Sequence, residues 1–358
     1  MPRIEISLSK IQHNARILCE LYGKQGISLM GVSKAVLGEP LIAEAMIRGG
    51  VKYIADSRLE NIQRMKIARI SATFVLLRTA LSQAESVVED VDISLNTEIE
   101  TIQELNYYAK RQNKIHQIIL MVEMGDLREG ILPRDIFSFI KKVLCLPQIK
   151  IVGLGCNLAC YGGIQPDNQK MQQLSDLTEA IEKEFQINLP ITSGGNSANY
   201  EWYKSARKVG RINNLRIGES ILLGRETAHS KTIPTLDTDA FKLIAEVIES
   251  KSKPSLPYGE IGRNAFGSVP VFLDSGIHQR AIIALGKQDT LIAGLSCDKR
   301  SLMPSALRDL EILGSSSDHL VLDTPNLCLK IGVGVNFNLD YGSLLAAMTS
   351  PFIKKQFI

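Results

Sequence analysis

The chain has 358 residues, 45% of them apolar and 22% charged, with 41 basic against 38 acidic side chains and a formal net charge of +3. That balance, with lysines scattered along the chain, argues against nucleic acid as a main partner. No apolar run reaches the ~18 residues that cross a bilayer, and the opening MPRIEISLSK has no signal-peptide core, so a cytoplasmic protein is expected. At roughly 150 residues per domain the length suits two domains. The six cysteines form no CxxC pair, which fits reduced thiols rather than a disulfide scaffold. Cys156 and Cys160 are four apart but have no histidine near them in sequence, so no metal is expected.

In chain order, eight near-continuous apolar runs alternate with longer amphipathic stretches. The runs are GISLMGVSK (26–34), VKYIADS (51–57), ATFVLLR (72–78), VDISLNT (91–97), QIILMVEMG (117–125), IKIVGLGCN (149–157), LPITSGGNS (189–197) and NNLRIGES (213–220). Such runs predict parallel strands covered on both faces. Between them, GEPLIAEAMIRGG (38–50), SRLENIQRMKIAR (57–69), TEIETIQELNYYAKRQ (97–112) and DNQKMQQLSDLTEAIEKEF (167–185) place apolar residues three and four apart, as helices do. Repeated strand-plus-helix units predict an α/β fold, a (β/α)₈ TIM barrel over 1–233. After about residue 235 the pattern changes to short β-like runs, LIAEVIES, VPVFLDS, QRAIIALG, DTLIAGLS, HLVLDT and KIGVGVNFNL, so a C-terminal mostly-β domain over 234–358 is expected.

Active sites of such barrels gather at the C-terminal ends of the strands. Here those ends carry Lys34, Asp56, Ser57, Arg78, Asn96, Thr97, Glu123 with Arg128 beyond it, Asn157, Asn196, Ser197 and Arg216. A mouth of this composition suits a small anionic ligand such as a phosphate-bearing cofactor. Lys34 is either a nucleophilic amine aimed into the mouth, activated by desolvation and nearby arginines, or a helix-starting lysine that reaches water. SGGNSAN (193–199) and LRIGES (215–220) are glycine turns leading into helices, where backbone N–H groups, the Ser197 hydroxyl and Gly218 would hold a phosphate.

VSKAVLG (32–38), MGDLREGI (124–131), NSAN (196–199) and RIGESILLG (216–224), in this order and ahead of a β domain, resemble the alanine racemase family, fold-type III enzymes that use pyridoxal 5′-phosphate. SSDHLVLD (316–323) and YGSLLAAMTSPF (341–352) look like that family's C-terminal landmarks, so the resemblance extends over nearly the whole chain. It implies that Lys34 binds the cofactor aldehyde and that Ser197, with Asn157, Asn196, Gly218 and Tyr341, lines the cofactor site. Arg216 then faces the pyridine nitrogen, and Arg128 the substrate carboxylate. PSLPYGEIG (254–262) aligns with the segment carrying the second acid/base, which puts Tyr258 in that role, reaching the other subunit's site in a homodimer. Lys34 and Tyr258 would then exchange protons with opposite faces of the α-carbon.

The chain has Asn157 and Ser193 where alanine racemases carry histidines, and Leu37 where they carry a tyrosine. These departures point toward the broader group of amino-acid racemases that includes ornithine racemase. A carboxylate in the pocket would suit a basic amino acid, with Ser317 and Asp318 as substrate-binding candidates beside Asp298 and Glu260. Two other readings stay open. GLSCDKR (294–300), with Cys297, and GEIGR (259–263) resemble segments of fold-type III decarboxylases, and single-domain barrels exist that only carry pyridoxal phosphate.

Overall fold

A strand buried on both faces is apolar on successive residues, and each of the eight runs matches one. The protein is described by a computed structural model covering residues 2–298, 310–325 and 327–358. β1 (Arg3–Ile6) and α1 (Leu8–Gly23) come first. The next units are β2 (Ser28–Val32) with α2 (Pro40–Arg48), β3 (Tyr53–Asp56) with α3 (Leu59–Ile67), and β4 (Thr73–Leu76) with α4 (Ala84–Asp90). Then come β5 (Ile93–Asn96) with α5 (Ile99–Arg111), β6 (His116–Met121) with α6 (Ile136–Val143), and β7 (Ile149–Gly155) with α7 (Asn168–Phe185). β8 (Ile191–Ser193) with α8 (Asn199–Ser205) and β9 (Asn214–Ile217) with α9 (Glu219–Leu223) complete the series. β2 through β9 close into a parallel barrel, β9 returning to β2 with Met30 opposite Arg216. Met30, Val32, Val75, Leu95, Ile119 and Met121 belong to one buried apolar cluster inside it, a packed interior above which polar side chains form the mouth.

The second unit is a sheet of eight strands among the described residues. Its strands are β10 (Phe241–Pro254), β11 (Ile277–Ile283), β12 (Leu295–Cys297), β13 (Glu311–Ser315), β14 (Leu320–Asp323), β15 (Gly334–Leu339) and, after α10 (Tyr341–Thr349), β16 (Lys354–Phe357), with β1 as the eighth. β1 pairs antiparallel with β10, Ile4 opposite Leu243, and parallel with β16. The division of the chain therefore differs from a cut at 233/234: one unit is Leu8–Thr238, and the other joins the chain through Ser7 to Asp239–Ile358. VPVFLDS also departs from expectation. It forms no strand, because Pro270 lacks an N–H for a ladder and Val271 and Leu273 are 89% and 85% exposed, with no sheet face to cover them. Among the described residues no helix is long and apolar enough to cross a membrane.

Beneath the barrel, His116 is 3% exposed at the start of β6, with Nε2 2.8 Å from Ser94 Oγ. Burial pushes its pKa down to about 4, with Lys114 adding to the effect, so the ring is neutral and shares one hydrogen bond with Ser94 Oγ, which also accepts from Asn96 Nδ2. The unfolded chain binds a proton at His116 below pH ~6.5 and the folded one does not, so stability falls as pH drops from ~6.5 toward 4. At ~1.4 kcal/mol per unit this amounts to about 3 kcal/mol. Urea unfolding across that range should show His116→Gln losing this part of the acid sensitivity, whatever its stability at neutral pH; parallel pH profiles for variant and wild type would refute the assignment.

Candidate active site

Lys34 opens a single 3₁₀ turn (Lys34–Val36) just past β2 and is half-buried. Its Nζ has no hydrogen-bond or ion-pair partner among the described residues. The turn is fixed from behind by Ser33, whose hydroxyl donates to Asp56 Oδ2 at 2.7 Å and whose N–H donates to the Ala55 carbonyl at 2.9 Å. Asp56 is fully buried, and its other oxygen accepts from Asn61 Nδ2 and the Arg58 N–H, each at 2.9 Å. Burial raises its pKa, and these hydrogen bonds pull the other way. The backbone of the lysine is thus anchored while its amine is left unpaired.

Arg216, near the end of β9, is 5% exposed. Nη1 donates to Ser193 Oγ at 2.6 Å, and Nη2 donates to the Cys156 carbonyl at 2.6 Å and to Asn157 Oδ1 at 3.4 Å. Ser193 passes its own proton to Asn214 Oδ1 at 2.8 Å. Every hydrogen-bond acceptor given for this cation is neutral. Burial pushes its pKa down, yet a guanidinium keeps its proton at any accessible pH. The neighbouring Cys156 thiol, pushed up to about 12 by burial, stays protonated.

Asn157 Oδ1 accepts from Arg216 and, at 3.1 Å, from Asn196 Nδ2, which fixes the amide's orientation. Its Nδ2 is consequently a buried donor with no partner, the kind of group a bound acceptor satisfies. Asn196 also donates to the Leu158 carbonyl at 2.8 Å, tying the loops after β7 and β8 together. Gly195 has φ +140°, and a Cβ there would fall 2.2 Å from Asn199 Oδ1, which accepts the Asn196 N–H, so only glycine permits this turn. Ser197 is 3% exposed and its oxygen accepts the Ser220 N–H at 3.2 Å, leaving its proton to donate. Gly218, the residue before α9, lies against Val32, two residues before Lys34. The two glycine turns and the lysine therefore share one end of the barrel.

Arg128 lies farther out, on the loop after β6. It donates from Nε and Nη2 to the two carboxylate oxygens of Glu129 and from Nη1 to Cys160 Sγ. The expected substrate arginine is thus already paired, with a carboxylate that sequence reasoning passed over. Glu123 accepts the Gly125 and Leu127 N–H groups, and Asp126 accepts those of Cys160, Tyr161, Gly162 and Ile164, so the loops after β6 and β7 are fastened to each other.

In the other unit, Tyr258 is 95% exposed on the stretch between β10 and β11. Tyr341 is the first residue of α10, behind Asp340, which caps the helix by accepting the Ser343 N–H. Ser317 and Asp318 sit in the turn between β13 and β14. Asp318 accepts from Ser317 Oγ and pairs with His319 at 2.8 Å, which holds its carboxyl below the usual range. Asp298 is committed to Lys242 at 2.7 Å. Cys297 is pushed up to about 11 by burial, which makes it a poor nucleophile; Lys299 and Arg300 of the same motif lie outside the described residues. No group of three or more His, Cys, Asp or Glu among the described residues is arranged to hold a metal ion.

Comparison with known proteins shows the family. Residues 6–226 match the family described as "Alanine racemase, N-terminal domain". The chain is 41% identical to the ornithine racemase of Acetoanaerobium sticklandii, with 100% of this chain and 99% of that one aligned. It is 39% identical to the lysine racemase of Thermotoga maritima, over 99% and 98% of the two chains. In fold it resembles the alanine racemase of Bartonella henselae with covalently bound pyridoxal phosphate, at TM-score 0.74 and 18% identity over 100% and 99% of the chains. The chain belongs to the alanine racemase family.

Proposed function

We propose that this protein is a pyridoxal phosphate-dependent racemase of a basic amino acid, ornithine or lysine. The observation that carries this reading is the environment of Arg216, a buried cation whose acceptors are all neutral. The residues fit the cofactor on three counts: the unpaired Lys34 amine for the aldehyde, the partnerless Asn157 Nδ2 for an acceptor oxygen, and the free Ser197 proton beside Gly218 for the phosphate. When bound, the cofactor supplies an electron sink for the charge left at the α-carbon. Arg216 offers N–H groups and no base, so a ring nitrogen facing it would stay unprotonated and the sink would be weak, which would favour proton return over loss of the carboxylate. A decarboxylase calls for a carboxylate at this position, and none is hydrogen-bonded to Arg216 among the described residues. A carrier needs no second unit, whereas racemisation needs a second acid/base group.

We assign Lys34 to one face of the substrate and Tyr258 to the other, with Tyr341 completing the phosphate site. The relatives that match over their full lengths act, by their names, on ornithine and lysine, which supports a basic substrate. A homodimer is part of the same reading. Tyr258, Val271, Leu273 and Ile277 are 95%, 89%, 85% and 78% exposed around one stretch, apolar surface of the kind a second copy covers.

Purified protein should be yellow and should abolish the optical rotation of L-ornithine or L-lysine, with the D-enantiomer appearing by chiral chromatography. Lys34→Ala should lose both the colour and the activity. A colourless wild type that cannot be reconstituted with pyridoxal phosphate would reject the proposal. Tyr258→Phe should keep the visible absorbance but lose roughly 10²- to 10⁴-fold in rate in at least one direction; unchanged rates both ways would remove Tyr258 from the reaction.

A further inference from the structure

Five carboxylates of the barrel unit bear on the question of what recognises a cationic side chain, and four of them are already engaged. Asp56 holds Ser33, Asn61 and the Arg58 N–H; Glu123 holds Gly125 and Leu127; Asp126 holds the N–H groups of the loop after β7; Glu226 holds Ala228, His229 and Lys231. Each is buried and each fixes backbone, so none can leave its partners cheaply. Glu129 is different. It is bound to one side chain, that of its chain neighbour Arg128, and both side chains remain accessible, at 36% for Arg128 and 33% for Glu129. An ion pair this exposed contributes ~0–1 kcal/mol and is readily exchanged. The pair also belongs to the mouth, because it lies on the loop that follows the C-terminal end of β6, and Arg128 Nη1 donates to Cys160 on the loop after β7.

Resting on the racemase reading above, we propose that Glu129 is the specificity-determining residue that binds the side-chain ammonium of the substrate. The logic is an exchange of ion pairs. The substrate α-carboxylate takes the guanidinium fork of Arg128, which Glu129 now occupies on Nε and Nη2. The displaced Glu129 carboxylate then accepts the terminal ammonium of the same substrate. A diamino acid leaves every charge paired. An amino acid with an apolar side chain displaces Glu129 and gives it nothing, so discrimination arises as much from the stranded carboxylate as from the new contact.

The probe is 5-aminopentanoate, which has the carboxylate and terminal ammonium of ornithine but no amine at the α-carbon, so it has no stereocentre to racemise. By calorimetry on the holoenzyme it should bind about tenfold or more tighter than pentanoate, as expected for one hydrogen bond between charged groups. Glu129→Gln should reduce that preference to under about threefold, and in turnover it should raise KM for ornithine about tenfold with kcat within about twofold. Glu129→Asp, one methylene shorter, should keep a preference for the ammonium but move it toward 6-aminohexanoate. An equal preference in wild type and Glu129→Gln, or a Glu129→Asp variant indifferent to probe length, would overturn the assignment. The two readings fail separately. Glu129-dependent binding without any racemisation would sink the racemase and spare the recognition site, and racemisation of ornithine with KM unmoved in Glu129→Gln would do the reverse.

Discussion

A guanidinium buried without a counter-ion constrains everything around it. Removing a charge from water is costly, and in most interiors a carboxylate offsets that cost. At Arg216 the offset comes from oriented dipoles: a serine hydroxyl, a main-chain carbonyl and an amide oxygen. Each is fixed in turn, Ser193 by Asn214, Asn157 by Asn196, and the Cys156 carbonyl by its place directly after β7. The chemistry follows from this arrangement. A carboxylate partner would lend negative charge to whatever the arginine faces, whereas neutral dipoles leave the cation's charge uncompensated by any hydrogen-bonded anion.

The mouth is also stiff. The loops after β6 and β7 are stitched by Asp126 reaching four backbone N–H groups, and those after β7 and β8 by Asn196. The glycine turns after β8 and β9 meet through Ser197 and Ser220. Such side-chain to main-chain bonds hold loops as a ladder holds strands, so the groups at the strand ends are positioned before any ligand arrives. The exchangeable elements on this framework are those with few ties: the Lys34 amine, the Arg128–Glu129 pair and the Asn157 donor.

The barrel was legible because double-sided burial writes itself into sequence as near-continuous apolar runs, which match the strands β2 to β9, with β6 starting one residue early at His116. Polar residues ending those runs gave Lys34, Asn157, Asn196, Ser197 and Arg216 at one end of it. What escaped has no local signal. β1 is only four residues long, and its partners lie about 240 and 350 positions away, at Leu243 and Lys355 opposite Ile4. VPVFLDS has the composition of a strand but pairs with no strand among the described residues, and composition cannot report a missing neighbour. Glu129 looked like any loop acid; its meaning lies in which atoms of Arg128 it occupies, a fact of geometry that spacing does not encode.

The pairing of Ile6 with Phe241 has a consequence for how this chain is made. It marks the barrel as an insertion nested within the sheet unit: the polypeptide departs from one strand of that sheet, completes the barrel, and re-enters on the adjacent strand. During vectorial synthesis the opening strand must therefore wait, unpaired, while the whole barrel emerges from the ribosome. Its brevity and the two charges within it, Arg3 and Glu5, make that orphan edge a poor template for aggregation in the interval.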